Sequence, residues 1–151
     1  MTRALPLFAL ALAGCPGALG PLGPAPAAFS TCRTADGHDF EIADVDTGGP
    51  PAFIEGDTLS VDVVYGGGCQ DHTFVPCWPS GAFVESGELV QVSLELWHGG
   101  LQDNCDALRH ETLQLDLTPL KTAWQELHGE GAASLSISLA GTSESLVYSF
   151  E

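Results

Sequence analysis

From residue 40 onward, apolar and polar residues alternate with a period of two over most of the chain. The cleanest run sets Val90, Val92, Leu94 and Leu96 against Gln91, Ser93, Glu95 and Trp97. Leu59, Val61, Val63 and Tyr65 oppose Thr58, Ser60 and Asp62. Leu113, Leu115 and Leu117 oppose Gln114 and Asp116, and Leu135, Ile137 and Leu139 oppose Ser136 and Ser138. Phe40, Ile42 and Val45 and the closing segment Leu146 to Phe150 complete the longer candidates, with His72 to Val75 and Ala82 to Val84 as shorter ones. Successive side chains of a strand point to opposite faces, so this spacing predicts strands with one buried face. Turn residues separate them: Gly48-Gly49-Pro50-Pro51, Glu55-Gly56-Asp57, Gly66-Gly67-Gly68, Ser86-Gly87 and Gly99-Gly100. About seven such strands in a stretch of this length predict a mainly β fold, an antiparallel β-sandwich of immunoglobulin-like or related Greek-key type. One short helix is expected, with Thr118 as N-cap, Pro119 at the first position, Leu120, Trp124 and Leu127 on one face, and Gly129 at the end. Its place is a crossover between strands.

The first part of the chain follows a different pattern. Arg3 precedes a stretch from Ala4 to Ala13 that is apolar except for Pro6. This is too short to span a bilayer, which takes about 20 residues, and has the form of a secretory signal. It ends in Leu12-Ala13-Gly14-Cys15, which resembles the lipobox of bacterial lipoproteins. The resemblance implies cleavage after Gly14, a diacylglyceryl thioether on Cys15 and acylation of the new amino terminus. Three acyl chains, at about 0.8 kcal/mol per buried methylene, make an anchor that does not exchange readily. Residues 1–14 are thus expected to be a signal peptide. Residues 15–31 are read as the lipidated Cys15 and a Pro/Gly/Ala-rich tether in which prolines rule out a helix. Residues 32–151 are read as the folded domain. Pro16, rather than Asp, follows Cys15, which resembles lipoproteins passed to the outer membrane.

Charge narrows the partners. The 151 residues carry four Lys and Arg against twenty Asp and Glu, a formal charge of −16. Phosphate-backbone binding needs clustered cations, so nucleic acid is excluded, as is attachment to anionic lipid by charge alone. Three Trp and seven Phe in a chain that is 44% hydrophobic exclude an acidic disordered tail. There is no Gly-x-Ser-x-Gly, Ser-x-x-Lys or His-Glu-x-x-His segment, so the chain is not expected to be an enzyme.

With Cys15 assigned to lipid, Cys32, Cys69, Cys77 and Cys105 remain. An even count in an exported chain reads as disulfides. Cys69 follows three glycines and Cys105 lies in the polar run Asp103-Asn104-Cys105-Asp106, so two Cys-bearing loops at strand ends are expected to meet as Cys69–Cys105, leaving Cys32–Cys77. The pattern Tyr65-Gly-Gly-Gly-Cys69-x-x-His72-x-Phe74, then His98, Asp103-x-Cys105-x-Ala107 and Leu115-Asp-Leu-x-Pro-Leu120, resembles a group of exported bacterial lipoproteins. That resemblance directs attention to a corner made of His72, His98 and Asp103 without implying an activity. The favoured reading of the corner is structural: the histidines bond loop carbonyls at strand ends, and Asp103 and Asn104 form an Asx turn. The alternative is a divalent-metal site on His72, His98 and Asp103, since two imidazoles and a carboxylate suit zinc, copper or iron. His38, His110 and His128 sit among polar residues and are expected to be solvated. The chain therefore reads as a membrane-anchored cell-envelope lipoprotein, a binding or structural module without a required cofactor. Its partners would be the bilayer, through acylated Cys15, and an envelope or extracellular ligand. A metal-binding lipoprotein is the alternative, and an envelope enzyme the second alternative.

Overall fold

A computed structural model describes Phe29 and residues 39–43, 48–86, 88–100 and 103–151. The expected signal peptide, Cys15, nearly all of the tether, Cys32 and His38 lie outside the described residues. The described chain runs β1 (Phe40–Ala43), β2 (Phe53–Glu55), β3 (Thr58–Gly66), β4 (His72–Cys77), β5 (Val84–Ser86), β6 (Leu89–Gly100), β7 (Leu108–Asp116), α1 (Thr118–His128), β8 (Ala133–Leu139) and β9 (Ser145–Phe150). The longer strands fall where the alternation puts them. β5 lies at Val84–Ser86 rather than Ala82 to Val84, Gly66 and Gly99-Gly100 end strands instead of forming turns, and Val45 lies outside the described residues. The three-residue β2 is an addition, too short to carry a periodic signal.

Two sheets result. In the first, β1 and β2 pair in succession along one edge of β3, and β7 pairs along the other, all antiparallel. In the second, β4 and β5 share one edge of β6, β8 takes the other, and β9 follows β8. The pair β6–β8 is parallel, which departs from an all-antiparallel arrangement. Its cause is the connection: β7 leaves for the other sheet, and α1 carries the chain back, so β8 enters in the direction of β6. Parallel neighbours need such a crossover.

The inward-facing residues of both sheets belong to one core. Leu59, Val61 and Val63 of β3 pack with Leu113 and Leu115 of β7, Val92 and Leu94 of β6, Leu135, Ile137 and Leu139 of β8, and Tyr148 of β9. Phe29, at the end of the expected tether, is partly buried against this core. The Tyr148 hydroxyl donates to Asp57 Oδ1 at 2.7 Å, linking β9 to the turn between β2 and β3. Burial, and then the Asp57 carboxylate, push that phenol above its ordinary pKa.

The helix matches its expected span, with two local corrections. Leu117, not Thr118, is the N-cap; its side chain makes no cap bond, and Asp116 Oδ1 instead accepts the Thr118 N–H at 2.9 Å. Of the face Leu120, Trp124 and Leu127, Leu120 is fully buried and Trp124 partly, whereas Leu127 is 70% exposed. The helix ends at Gly129 before its last turn reaches the core. We expect Leu120→Ala to destabilise the domain by about 2–5 kcal/mol in chemical denaturation, and Leu127→Ala to stay within about 0.5 kcal/mol.

Candidate functional site

At one end of the core the inward-facing stripes stop being aliphatic. On β3 the stripe Leu59, Val61, Val63 continues to Tyr65. On β7, paired through Leu59↔Leu115, Val61↔Leu113, Val63↔Glu111 and Tyr65↔Arg109, it continues to Glu111 and Arg109. On β6, Val92, Leu94 and Leu96 lead to His98, whose partner on β4 is Phe74, with His72 two residues before it. Both sheets thus bring polar side chains to the same end. His98 is 1% exposed, and it and Ser60 are the buried polar residues among those described. Its ring stacks on Phe74 with centroids 4.3 Å apart and planes 1° from parallel. Phe40 and Tyr65 approach it edge-on, at 5.7 and 5.0 Å.

His98 Nε2 lies 2.8 Å from His72 Nδ1, and His72 Nε2 lies 3.1 Å from Asp103 Oδ2. The three side chains form a hydrogen-bonded line from the core to the surface loops. Asp103 ends it in a cradle of backbone amides. Its Oδ2 accepts from the N–H groups of Gly68, Cys69 and Gln70 at 2.7, 2.9 and 3.0 Å, and its Oδ1 from Cys105 N–H at 3.1 Å. Successive amides converging on one oxygen form a nest that favours an anion, and here the anion is built into the chain. The backbone must turn unusually to aim them. Gly67 and Gly68 have φ of +132° and +113°, and a Cβ at Gly67 would lie 2.6 Å from His72 Nε2. The disulfide Cys69–Cys105 crosses the same two loops, with Cα atoms 6.0 Å apart. Gly67 N–H also donates to Ala107 O at 2.9 Å.

The Asp103 side chain is 2% exposed, covered by the loops whose amides it accepts. The Cys105 N–H, then His72 and the loop amides, hold its carboxyl well below the ordinary aspartate range, against a smaller opposing effect of desolvation. Beside this line lies an open recess of about 530 Å3, lined among others by Tyr65, Gln70, His72, Arg109 and Glu111. Tyr65 donates its hydroxyl to Glu111 Oε2 at 2.9 Å. Burial and then Glu111 raise the Tyr65 phenol, and Arg109 acts in the opposite sense. A Cβ on Gly68 would meet the Arg109 side chain at 2.9 Å, so the glycine lets Arg109 lie across the loop.

The expected pairing Cys69–Cys105 is present. Cys77 is disulfide-bonded as well, and Cys32, its expected partner, lies outside the described residues. His72, His98 and Asp103 come together as expected, in a line of hydrogen bonds. His72 bonds His98 through one ring nitrogen and Asp103 through the other. For a metal, His72 directs opposite ring nitrogens to its two neighbours, so the three residues do not aim at one point. The Asx-type bond from Cys105 to Asp103 is present. His110 and His128 are exposed as expected, and His38 lies outside the described residues. Arg109, Glu111 and Phe40 were not singled out from sequence. The signal was there for two of them: counting back by twos from Leu113 on β7 gives Glu111 and Arg109.

No protein-family model matches the chain, and no curated protein matches it. Among solved structures it is similar to a crystal structure of a "Putative TOXIN related protein" from Parabacteroides distasonis. That similarity has a TM-score of 0.44 and 16% identity, over 75% of this chain and 50% of that one. The chain therefore spans about half the length of that protein, and a likeness of this degree carries no argument about function.

A group whose pKa is depressed by folding contributes stability above its unfolded pKa, and that stability is lost as pH falls through the carboxylate range. Thermal melts should therefore show wild type well above Asp103→Asn at pH 7, with the difference shrinking steadily below about pH 4. The glycine loop supplies a second check. Gly67→Ala should destabilise by at least about 1 kcal/mol through strain and displacement of His72, whereas Gly66→Ala should change little, because its Cβ meets nothing within 4 Å.

Proposed function

We propose that this chain is a lipid-anchored binding module of the bacterial cell envelope, a disulfide-braced β domain that offers its polar end to a ligand. The observation that carries the anchor is the segment Leu12-Ala13-Gly14-Cys15 at the end of an apolar stretch of signal-peptide length. Cleaved and acylated there, the chain would hold the domain off the bilayer on a proline-rich tether, with its excess of negative charge favouring distance from anionic headgroups. Pro16 after the acylated cysteine favours the outer membrane.

Binding rather than turnover is supported by how the corner uses its groups. A general base needs a ring nitrogen facing substrate. Both nitrogens of His72 lie at hydrogen-bond distance from protein groups, at 2.8 and 3.1 Å, and the Asp103 carboxylate accepts four backbone amides. Such a corner acts as a brace. It keeps one wall of the recess fixed, with Gln70, Asp71, Arg109, His110 and Glu111 as its polar lining, and a preformed surface of that kind loses little entropy on binding. The ligand would be a small polar molecule or a loop of an envelope or extracellular protein, and not a nucleic acid.

Expressed in a Gram-negative host, the full-length protein should fractionate with membranes and incorporate labelled fatty acid. Cys15→Ser should abolish the label and change the fractionation. Acyl label that survives Cys15→Ser would sink the anchoring reading.

A further inference from the structure

We propose that reduction of the Cys69–Cys105 bridge opens a binding site for a thiophilic divalent ion of the zinc class, with Cys69, Cys105 and Asp103 as its protein ligands. The two sulfurs and a carboxylate oxygen of Asp103 lie within 4.8 Å of one another. In a tetrahedral thiolate site, with metal–sulfur bonds of about 2.3 Å, the sulfurs stand about 3.7 Å apart. The loops that carry them have Cα atoms at 6.0 Å, so opening the bridge and admitting an ion requires side-chain rotation and little backbone movement.

The loops are also joined without the disulfide. The three amides of residues 68–70 on Asp103, the His72 contact and the bond from Gly67 to Ala107 all cross between them. Breaking the S–S bond therefore leaves the sulfurs facing each other. Asp103 is aimed by the same contacts. Its Oδ2 faces the nest and His72, and its Oδ1 accepts from Cys105 N–H, leaving a lone pair on Oδ1 for an ion. His72 then acts as a positioning residue, bonded to a ligand carboxylate as the outer partners of metal sites commonly are. Water would complete the coordination. Cys69 is exposed and lines the open recess, so an external thiol has access to the bridge.

The chemistry balances with a dithiol as reductant. Two electrons and two protons pass from the dithiol to the bridge, giving the Cys69 and Cys105 thiols and a disulfide on the reductant. The ion then displaces both thiol protons. Two thiolates and a carboxylate concentrate negative charge in a chain already at −16, and a divalent cation relieves that repulsion. This site is independent of the anchor at Cys15 and uses a ligand set different from His72, His98 and Asp103.

The test uses the full-length protein in detergent. It is reduced with dithiothreitol, freed of reductant under anaerobic conditions, and titrated with Zn2+ or with Co2+, which reports thiolate ligation by its charge-transfer absorption. Alkylation at each cysteine is read by peptide mass. We expect Zn2+, but not Mg2+, to slow alkylation of Cys69 and Cys105 by at least about tenfold, since a metal-bound thiolate is no longer the free nucleophile. Asp103→Asn should weaken the ion by about tenfold or more, as changes to a ligand shell do. The Cys69→Ser/Cys105→Ser variant, which keeps Cys32 and Cys77, should lack the charge-transfer signal gained by reduced wild type. Equal alkylation with and without Zn2+ would overturn the proposal, as would binding of equal strength by the oxidised protein. An unchanged affinity in Asp103→Asn would remove the carboxylate from the site.

Discussion

Asp103 Oδ2 accepts three consecutive backbone amides and faces His72, while Asp103 Oδ1 accepts the amide of Cys105. Much of the polar end of the domain depends on this carboxylate. The amides at residues 68–70 leave the sheet at the end of β3 and have no strand partner there, so they need another acceptor. Asp103 supplies the acceptor from a loop 33 to 35 residues away in sequence. The disulfide adds a covalent tie across the same gap, closing a ring of 36 residues. In the chain-entropy picture that is worth about 4 kcal/mol. One tie is electrostatic and directional and the other covalent, and together they bring the two loops into one corner.

The corner in turn lets a histidine pair enter the core. His98 continues the inward stripe of β6, where the pattern calls for an aliphatic residue, and a buried imidazole is tolerated when its nitrogens are bonded. His72 meets that need from β4 and passes the polarity outward to Asp103. Phe40, Phe74 and Tyr65 close around the rings, so the line of bonds runs inside an aromatic sleeve. The arrangement explains the glycines before Cys69. The loop must pass so close to His72 that no side chain fits at Gly67, and it must turn its amides inward through backbone angles that other residues avoid.

Much of the fold was legible in the chain itself. The longer strands and the helix fall where periodicity places them, because a half-buried strand leaves a two-residue imprint and α1 a turn-by-turn one. The pairing of Cys69 with Cys105 was legible from two polar loops, and the importance of His72, His98 and Asp103 from their company with those cysteines. What the pattern did not convey was how these residues are used. A histidine at the end of an apolar run reads the same whether it caps a strand, binds a metal or faces the core.

The amino-acid sequence by itself determined the longer strands, the crossover helix and the acidic charge, because each follows from local spacing or from composition. It also carried the signal-peptide pattern ending at Cys15. Tertiary structure alone decided the direction of β8 beside β6 and the exposure of Leu127. It also decided that Arg109 and Glu111 share a recess with Tyr65 and that Asp103 fills the nest of residues 68–70. These depend on which strands become neighbours across two sheets. That choice is made by the packing of one shared core and the closing of long loops, and no short window of residues contains it.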